Sequence, residues 1–311
     1  MEPKPLSAPI WNSSLHPPAR PTSAANAGVD DVEIRSVLLA RWAGAARSLR
    51  RPGFVLAACF IVFVLLAAAV PEWLRRYDPY ATSVSEKLLA PSFRHWFGTD
   101  QLGRDLYARV ICGSTLSVEA ALAAVGIALV GGVSLGVLSG FVGGKVDALI
   151  MRGVDVLLAL PALLLSLAII TAIGFGTMPV AIAVGMGILP GFARTTRAEV
   201  LRVKTLPYVE AARLGGASAG RTLLTHVLPN SWGPVAVLAT LDFGVAIVAA
   251  AGLSFLGFGA APPAAEWGTL IASGRNFQMT APWLSLLPGL FVVATVFGLN
   301  HIARTMEELW R

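Results

Sequence analysis

Residues 54–70, FVLAACFIVFVLLAAAV, carry no charged side chain at any helical position. A helix with no polar face cannot be solvated by water on any side, whereas a hydrocarbon core about 30 Å thick calls for about 20 such residues. Five further segments approach the same pattern. The six expected spans are approximately 53–71, 115–141, 154–175, 178–196, 233–257 and 283–303. The region 258–282 has intermediate polarity, which leaves five or seven spans open beside the six. Composition agrees: 55% of the residues are hydrophobic and 14% charged, against about a quarter charged in soluble domains. The expectation is an all-α membrane protein.

The remaining polar sequence sets the organisation. Residues 1–30, rich in Pro, Ser and Ala, show no helical or strand period and read as a disordered tail. No secretory signal is visible, because the first apolar run begins beyond residue 52 without a small-residue cleavage pattern. In 31–51, apolar side chains recur at helical spacing, with Arg35, Arg41, Arg47, Arg50 and Arg51 between them. That pattern predicts an amphipathic helix lying on the lipid headgroups. Residues 52–311 then form the membrane domain. With both termini in the cytoplasm, seventeen Lys and Arg fall on the cytoplasmic side and seven outside, which favours an N-in, C-in arrangement. The basic residues of 72–114 run against that trend. The net charge of +6 comes without a basic cluster interleaved with aromatics, so no nucleic-acid partner is expected. Cys59 and Cys112 form no metal or redox pair and read as apolar filler.

The longest predicted cytoplasmic loop, 197–232, reads RAEVLRVKTLPYVEAARLGGASAGRTLLTHVLPNSW. Pro207 suits the first turn of a helix, where its missing N–H costs nothing. Glu210, Ala211, Ala212, Arg213 and Leu214 favour helix, and Gly215-Gly216 ends it. A second helical stretch, from Ser218 to Leu228, stops before Pro229. The pattern is helix, glycine turn, helix, close to the membrane face.

Glu210-Ala211-Ala212, Gly216, His226 and Leu228-Pro229 resemble the EAA loop of bacterial ABC importer permeases, with His226 where Ile is usual. The string YVEAARLGGAS…HVLPN is similar to that of the second permease subunit of dipeptide and oligopeptide importers. So are HWFGTDQLGRDLYARVICG (95–113), MRGVDVLLALP (151–161), LSFLGFG (253–259) and APWLSLLPG (281–289). The blocks cover most of the chain beyond about residue 50. The resemblance implies a type I ABC importer permease fold, located in the bacterial inner membrane. It further implies that Glu210, Ala211, Ala212, Gly215, Gly216, His226 and Pro229 form a coupling element docking on a cytoplasmic ATPase. The implied partners are a homologous second permease, two ATP-binding subunits and an extracytoplasmic solute-binding protein. ATP and Mg would sit on the ATPases, and no cofactor on this chain. Peptides are the implied solutes, with nickel chelates or glutathione as alternatives within the family.

The residues themselves bear on the remaining readings. No G-x-x-x-x-G-K-[ST] loop is present to cradle phosphates, so the chain is not expected to be an enzyme. Ser254, His226 and His301 fall at different depths and cannot pair as nucleophile and base. A proton-coupled secondary transporter remains the other class, although internal repeats and broken helices are not evident. Gly132, Gly136 and Gly140 make a smooth stripe for close helix packing. Charges inside spans invite functional readings: Asp242 and Glu119 are candidates for the translocation path, and Asp155 for a structural pair with Arg152 or another polar neighbour. Gly98, Asp100, Gly103, Arg104 and Asp105 suggest a structured outer loop touching the second permease or the binding protein. A metal held by His95, Asp100 and Asp105 is the less favoured reading. The family often carries Glu shortly before its L-S-F-L-G block, where this chain has Ala250.

Overall fold

The computed structural model describes residues 52–310, so the expected tail 1–30 and interfacial helix 31–51 lie outside the described residues. The main elements are α1 (Pro52–Ala69), α2 (Leu106–Val142), α3 (Gly144–Ala159), α4 (Ala162–Ile173), α5 (Thr177–Lys204), α6 (Pro207–Leu214), α7 (Trp232–Phe255), α8 (Trp267–Gly274) and α9 (Trp283–Trp310). Five of them, α1, α2, α5, α7 and α9, are long and apolar enough to cross a bilayer. The pair α3–α4 makes a sixth only when taken together, and it is bent by 95°. The expected straight span 154–175 is therefore an elbow. Pro161 lacks an N–H and disfavours helical geometry at the residue before it, and Leu160 is extended, with φ −89° and ψ 133°.

α2 begins at residue 106 rather than near 115. Asp105 caps it, its Oδ1 accepting from the Ala108 N–H at 2.7 Å. The Arg109 guanidinium on its first turn donates to the Pro79 carbonyl at 3.1 Å, so a charge that looks like a span boundary is accommodated inside the fold.

The centre of the bundle is the α2–α5 pair. The glycine stripe of α2 lies directly against α5. A Cβ on Gly132 would come within 2.4 Å of Phe192 Cβ, one on Gly136 within 2.6 Å of the Ala193 carbonyl, and one on Gly140 within 2.9 Å of Val200 Cγ1. Around this pair α1 packs on α9 through Phe60, Phe63 and Phe291, and α7 packs on α9 and α2. Many large apolar side chains stay exposed on the helix flanks, such as Leu56, Val62, Val130 and Phe297. Those surfaces suit lipid or apolar protein neighbours rather than water.

The chain connections define two ends. One carries residues 205–231. The opposite end carries 72–105 and 256–282. There α8 does not span; it wedges inward, with Trp267 fully buried. Its indole Nε1 donates to the Val110 carbonyl at 3.0 Å and its backbone N–H to Ser117 Oγ at 3.1 Å.

Candidate functional site

The 205–231 segment is fixed to the bundle by a small apolar core. Val209, the buried residue of α6, joins Val200 and Val203 of α5 and Val227, with Val137, Phe141, Leu206 and Leu223 around them. The end of α5, from which the segment departs, is itself tied to the C-terminus of α2. Lys204 Nζ donates to the carbonyls of Gly140 (3.3 Å) and Phe141 (3.0 Å), where unpaired carbonyls and the helix dipole favour a cation. The Phe141 ring also lies 6.0 Å from Lys204 Nζ and 5.9 Å from the Arg213 guanidinium, within the range of cation–π attraction.

Gly215 and Gly216 end α6 with two reaching-back hydrogen bonds. The Gly216 N–H donates to Arg213 O at 3.0 Å, and the Ala217 N–H to Ala212 O at 3.1 Å. This is a Schellman closure, and it needs the left-handed residue that Gly216 supplies at φ +86°. Ser218 then caps Ala219–Thr222 through a bond from the Arg221 N–H. Residues Leu223–Val227 form a π-helical turn, in which the Leu228 N–H reaches Leu223 O. The turn lies just ahead of Pro229, whose ring cannot accommodate the ordinary carbonyl four residues back. The His226 ring packs edge-on to Tyr208, with centroids 6.3 Å apart, and its carbonyl accepts from Asn230 Nδ2 at 2.7 Å.

What remains on the outside is a compact patch. Glu210, Ala211 and Arg213 are exposed, with Leu214 at 85%, Leu224 at 66% and Tyr208 at 43%. Among the described residues the Glu210 carboxylate has no hydrogen-bond or ion-pair partner. The predicted coupling residues are thus brought together, in two roles. Gly215, Gly216, His226 and Pro229 shape the segment, while Glu210, Ala211 and half-buried Ala212 present its outer face. Beside the segment lies a cavity of about 650 Å³, lined in part by Pro229, Asn230, Arg202 and Leu241.

The other candidates lie elsewhere. At the opposite end, the polar side chains of the predicted contact loop turn inward. Asp100 Oδ1 accepts from the Leu102 and Arg104 N–H groups, and its Oδ2 from Arg104 Nε at 2.6 Å. Arg109 Nε stands 3.7 Å away. Asp105 Oδ2 pairs with His95 Nδ1 at 2.8 Å. Gly98 and Gly103 pass so close to Leu89 and Ser83 that a side chain would collide with backbone oxygen. These five residues build the loop, and it is other side chains, Phe93 at 98% exposure and Trp96 at 49%, that face outward from it. Glu119 is exposed on α2 and lines a cavity of about 130 Å³ with Thr177 and Met178. Asp242 is half-buried on α7, does not line that cavity, and has no polar partner among the described residues. Asp155 pairs with Arg194 at 2.6 Å, across 39 positions of sequence, rather than with Arg152.

Two polar features escape a reading of the sequence alone. Glu266 is 1% exposed and accepts from Ser254 Oγ at 2.6 Å and from the Ala260 N–H at 2.9 Å, tying the LSFLGFG turn to α8. Asp147 receives a two-pronged bond from Arg197, at 2.6 and 2.7 Å. Arg197 lies 50 positions from Asp147, so only an opposite charge in a distant span signals that pair.

Comparison with known proteins agrees with this architecture. The family described as "Binding-protein-dependent transport system inner membrane component" matches residues 132–309. The chain is 42% identical over 258 residues to the probable D,D-dipeptide transport system permease protein DdpC of Escherichia coli, covering 83% of this chain and 87% of that one. It is 37% identical to the dipeptide transport system permease protein DppC of Alkalihalophilus pseudofirmus, over 86% and 88% of the two chains. It is also 36% identical to the glutathione transport system permease protein GsiD of Pectobacterium atrosepticum, over 84% and 87%. Among solved structures, a chain of the MetNI methionine ABC transporter in an inward-facing conformation superposes with a TM-score of 0.52 at 17% identity, covering 64% of this chain and 96% of that one. At that identity the likeness shows a shared fold. With a matching family pattern over more than half its length and close relatives over most of it, the chain belongs to the binding-protein-dependent transport system inner membrane components.

Proposed function

We propose that this permease forms half of the translocation path of an ATP-driven importer of peptides or peptide-like solutes. The relatives' names support the solute class, and peptide permeases outnumber glutathione permeases among those described above. The observation that carries the mechanism is the 205–231 segment. Its inner face packs on Val137 and Phe141 of α2 and on Val200 and Val203 of α5, while the Glu210 carboxylate has no partner among the described residues and Leu214 and Leu224 stand exposed beside it. A rigid, anchored projection with an unsatisfied face is suited to receive force from another subunit. In this reading the segment faces the cytoplasm, both termini lie inside, and ATPases draw together on ATP and carry the projection with them. Differential affinity of ATP for the two packings of the permease drives the cycle.

The assembly proposed is this chain, a homologous second permease, two ATPases that hold ATP and Mg, and an extracytoplasmic binding protein. The 75–105 loop would meet the binding protein or second permease through Phe93 and Trp96, with Asp100, Arg104 and Asp105 supporting them. Asp242 and Glu119 would attract a cationic group of the solute along the path. Uptake of a labelled dipeptide by cells carrying the whole system tests the reading. It should collapse when ATP is depleted and survive dissipation of the proton gradient; the reverse pattern would establish a proton-coupled carrier instead.

A further inference from the structure

The α3 arm of the elbow stands between two breaks in the helical backbone. At its start Gly143 and Gly144 are both left-handed, at φ +73° and +57°, and neither has a neighbour within 4 Å of where a Cβ would sit. Their glycines serve conformation rather than close packing, as at a pivot. At the bend, Pro161 interrupts the helix. Between these points α3 is tied to α5 by two ion pairs. Arg197 grips both carboxylate oxygens of Asp147, which also accepts from Ser139 Oγ on α2. One turn earlier on α5, Arg194 holds Asp155 at 2.6 Å.

Two ties constrain more than one does. A single pair lets a helix rotate about its contact, whereas ties at Asp147 and Asp155, two turns apart, fix both the position and the tilt of α3 relative to α5. α5 runs on through Thr205 into α6, which presents Glu210. Beyond the bend, α4 walls an apolar cavity of about 330 Å³, lined by Leu163 and Ser166 of α4, Ile188 of α5, and Val245, Val248 and Gly252 of α7. A displacement of the coupling segment thus has a continuous path: α6 to α5, through the ion pairs to α3, and across the bend to α4.

We infer that Asp147–Arg197 and Asp155–Arg194 form a latch that makes the elbow follow α5, so that α4 swings as a door on this cavity during the transport cycle. The four are positioning residues for transport, and the inference rests on the importer reading above. Its test uses the complete transporter in lipid, with Cys59 and Cys112 replaced by Ser and spin labels at Leu163 and Val248, both exposed. The label separation is measured without nucleotide and after trapping with ATP and vanadate. With the latch intact, the separation changes on trapping. In Asp147→Asn/Asp155→Asn the ATPase rate is retained but the change is lost, and solute moved per ATP falls by about fivefold or more, the scale of a typical coupling energy. With Asp155–Arg194 left intact, Asp147→Arg alone weakens the change, and adding Arg197→Asp to exchange the charges restores it. A separation that shifts equally in the latch variant overturns the inference. So does a parallel loss of assembly and ATPase, which marks a merely structural pair, or a failure of the exchange to restore. If the complex with an intact latch does not couple ATP to uptake, the importer reading fails and takes the latch with it.

Discussion

The two ends of the bundle use similar residues in opposite ways. The 95–105 stretch, with two acids, an arginine and two left-handed glycines, and the 207–216 stretch, with one of each, look equally functional as sequence blocks. At the first, Asp100, Arg104 and Asp105 are buried and bonded to one another, to Arg109, to His95 and to the backbone. At the second, Glu210 and its apolar neighbours are left outside, while the bonding that shapes the segment is backbone to backbone around Gly216. The difference teaches that a charged glycine-rich motif is either a scaffold or a contact surface, and that the partners of its side chains decide which. Substitutions at the first end should therefore act on stability, and those at the second on coupling.

The largest expected effect is at Asp100. Asp100→Ala leaves Arg104 and Arg109 buried beside each other without their shared acid, which costs about 3–5 kcal/mol. Loss of folded protein, or a steep drop in the thermal midpoint in detergent, measures it. A midpoint near wild type would mean the loop is not a scaffold. Gly103→Ala comes next. Its Cβ would stand 1.9 Å from the Ser83 carbonyl oxygen at φ +76°, a combination worth about 3 kcal/mol by the same melt. Gly216→Val meets no such neighbour, so only its left-handed backbone objects, at about 1–2 kcal/mol. It should spare the fold yet cut uptake, because α6 can no longer close into its turn. Smallest in stability is Glu210→Lys, at less than about 0.5 kcal/mol, since the carboxylate has no internal partner to lose.

That contrast also marks what could be read from residues alone. Spans such as 54–70 are legible because lipid leaves no other place for an uncharged run. The Gly132–Gly136–Gly140 stripe is legible because helical spacing puts it on one face. Gly216 follows from helix-ending chemistry. The elbow at Pro161 is harder, since apolar residues continue on both sides and hydropathy is blind to direction. Partnerships such as Arg194–Asp155 and Ser254–Glu266 are invisible, because each joins residues that only the fold brings together. The inward turn of Asp100 and Arg104 belongs to the same class: their side chains advertise contact until the backbone around Gly98 and Gly103 is known to fold over them.

The central claim is that the 205–231 segment receives force through its outer face. Glu210→Lys tests it most directly, measured as co-purification of the ATPase subunits with the permease alongside dipeptide uptake. The account predicts an unchanged thermal midpoint, lost ATPase association and uptake reduced by about tenfold or more, a deficit of at least about 1.4 kcal/mol in coupling. Association and uptake at the wild-type level, in a protein shown to be folded, would contradict it.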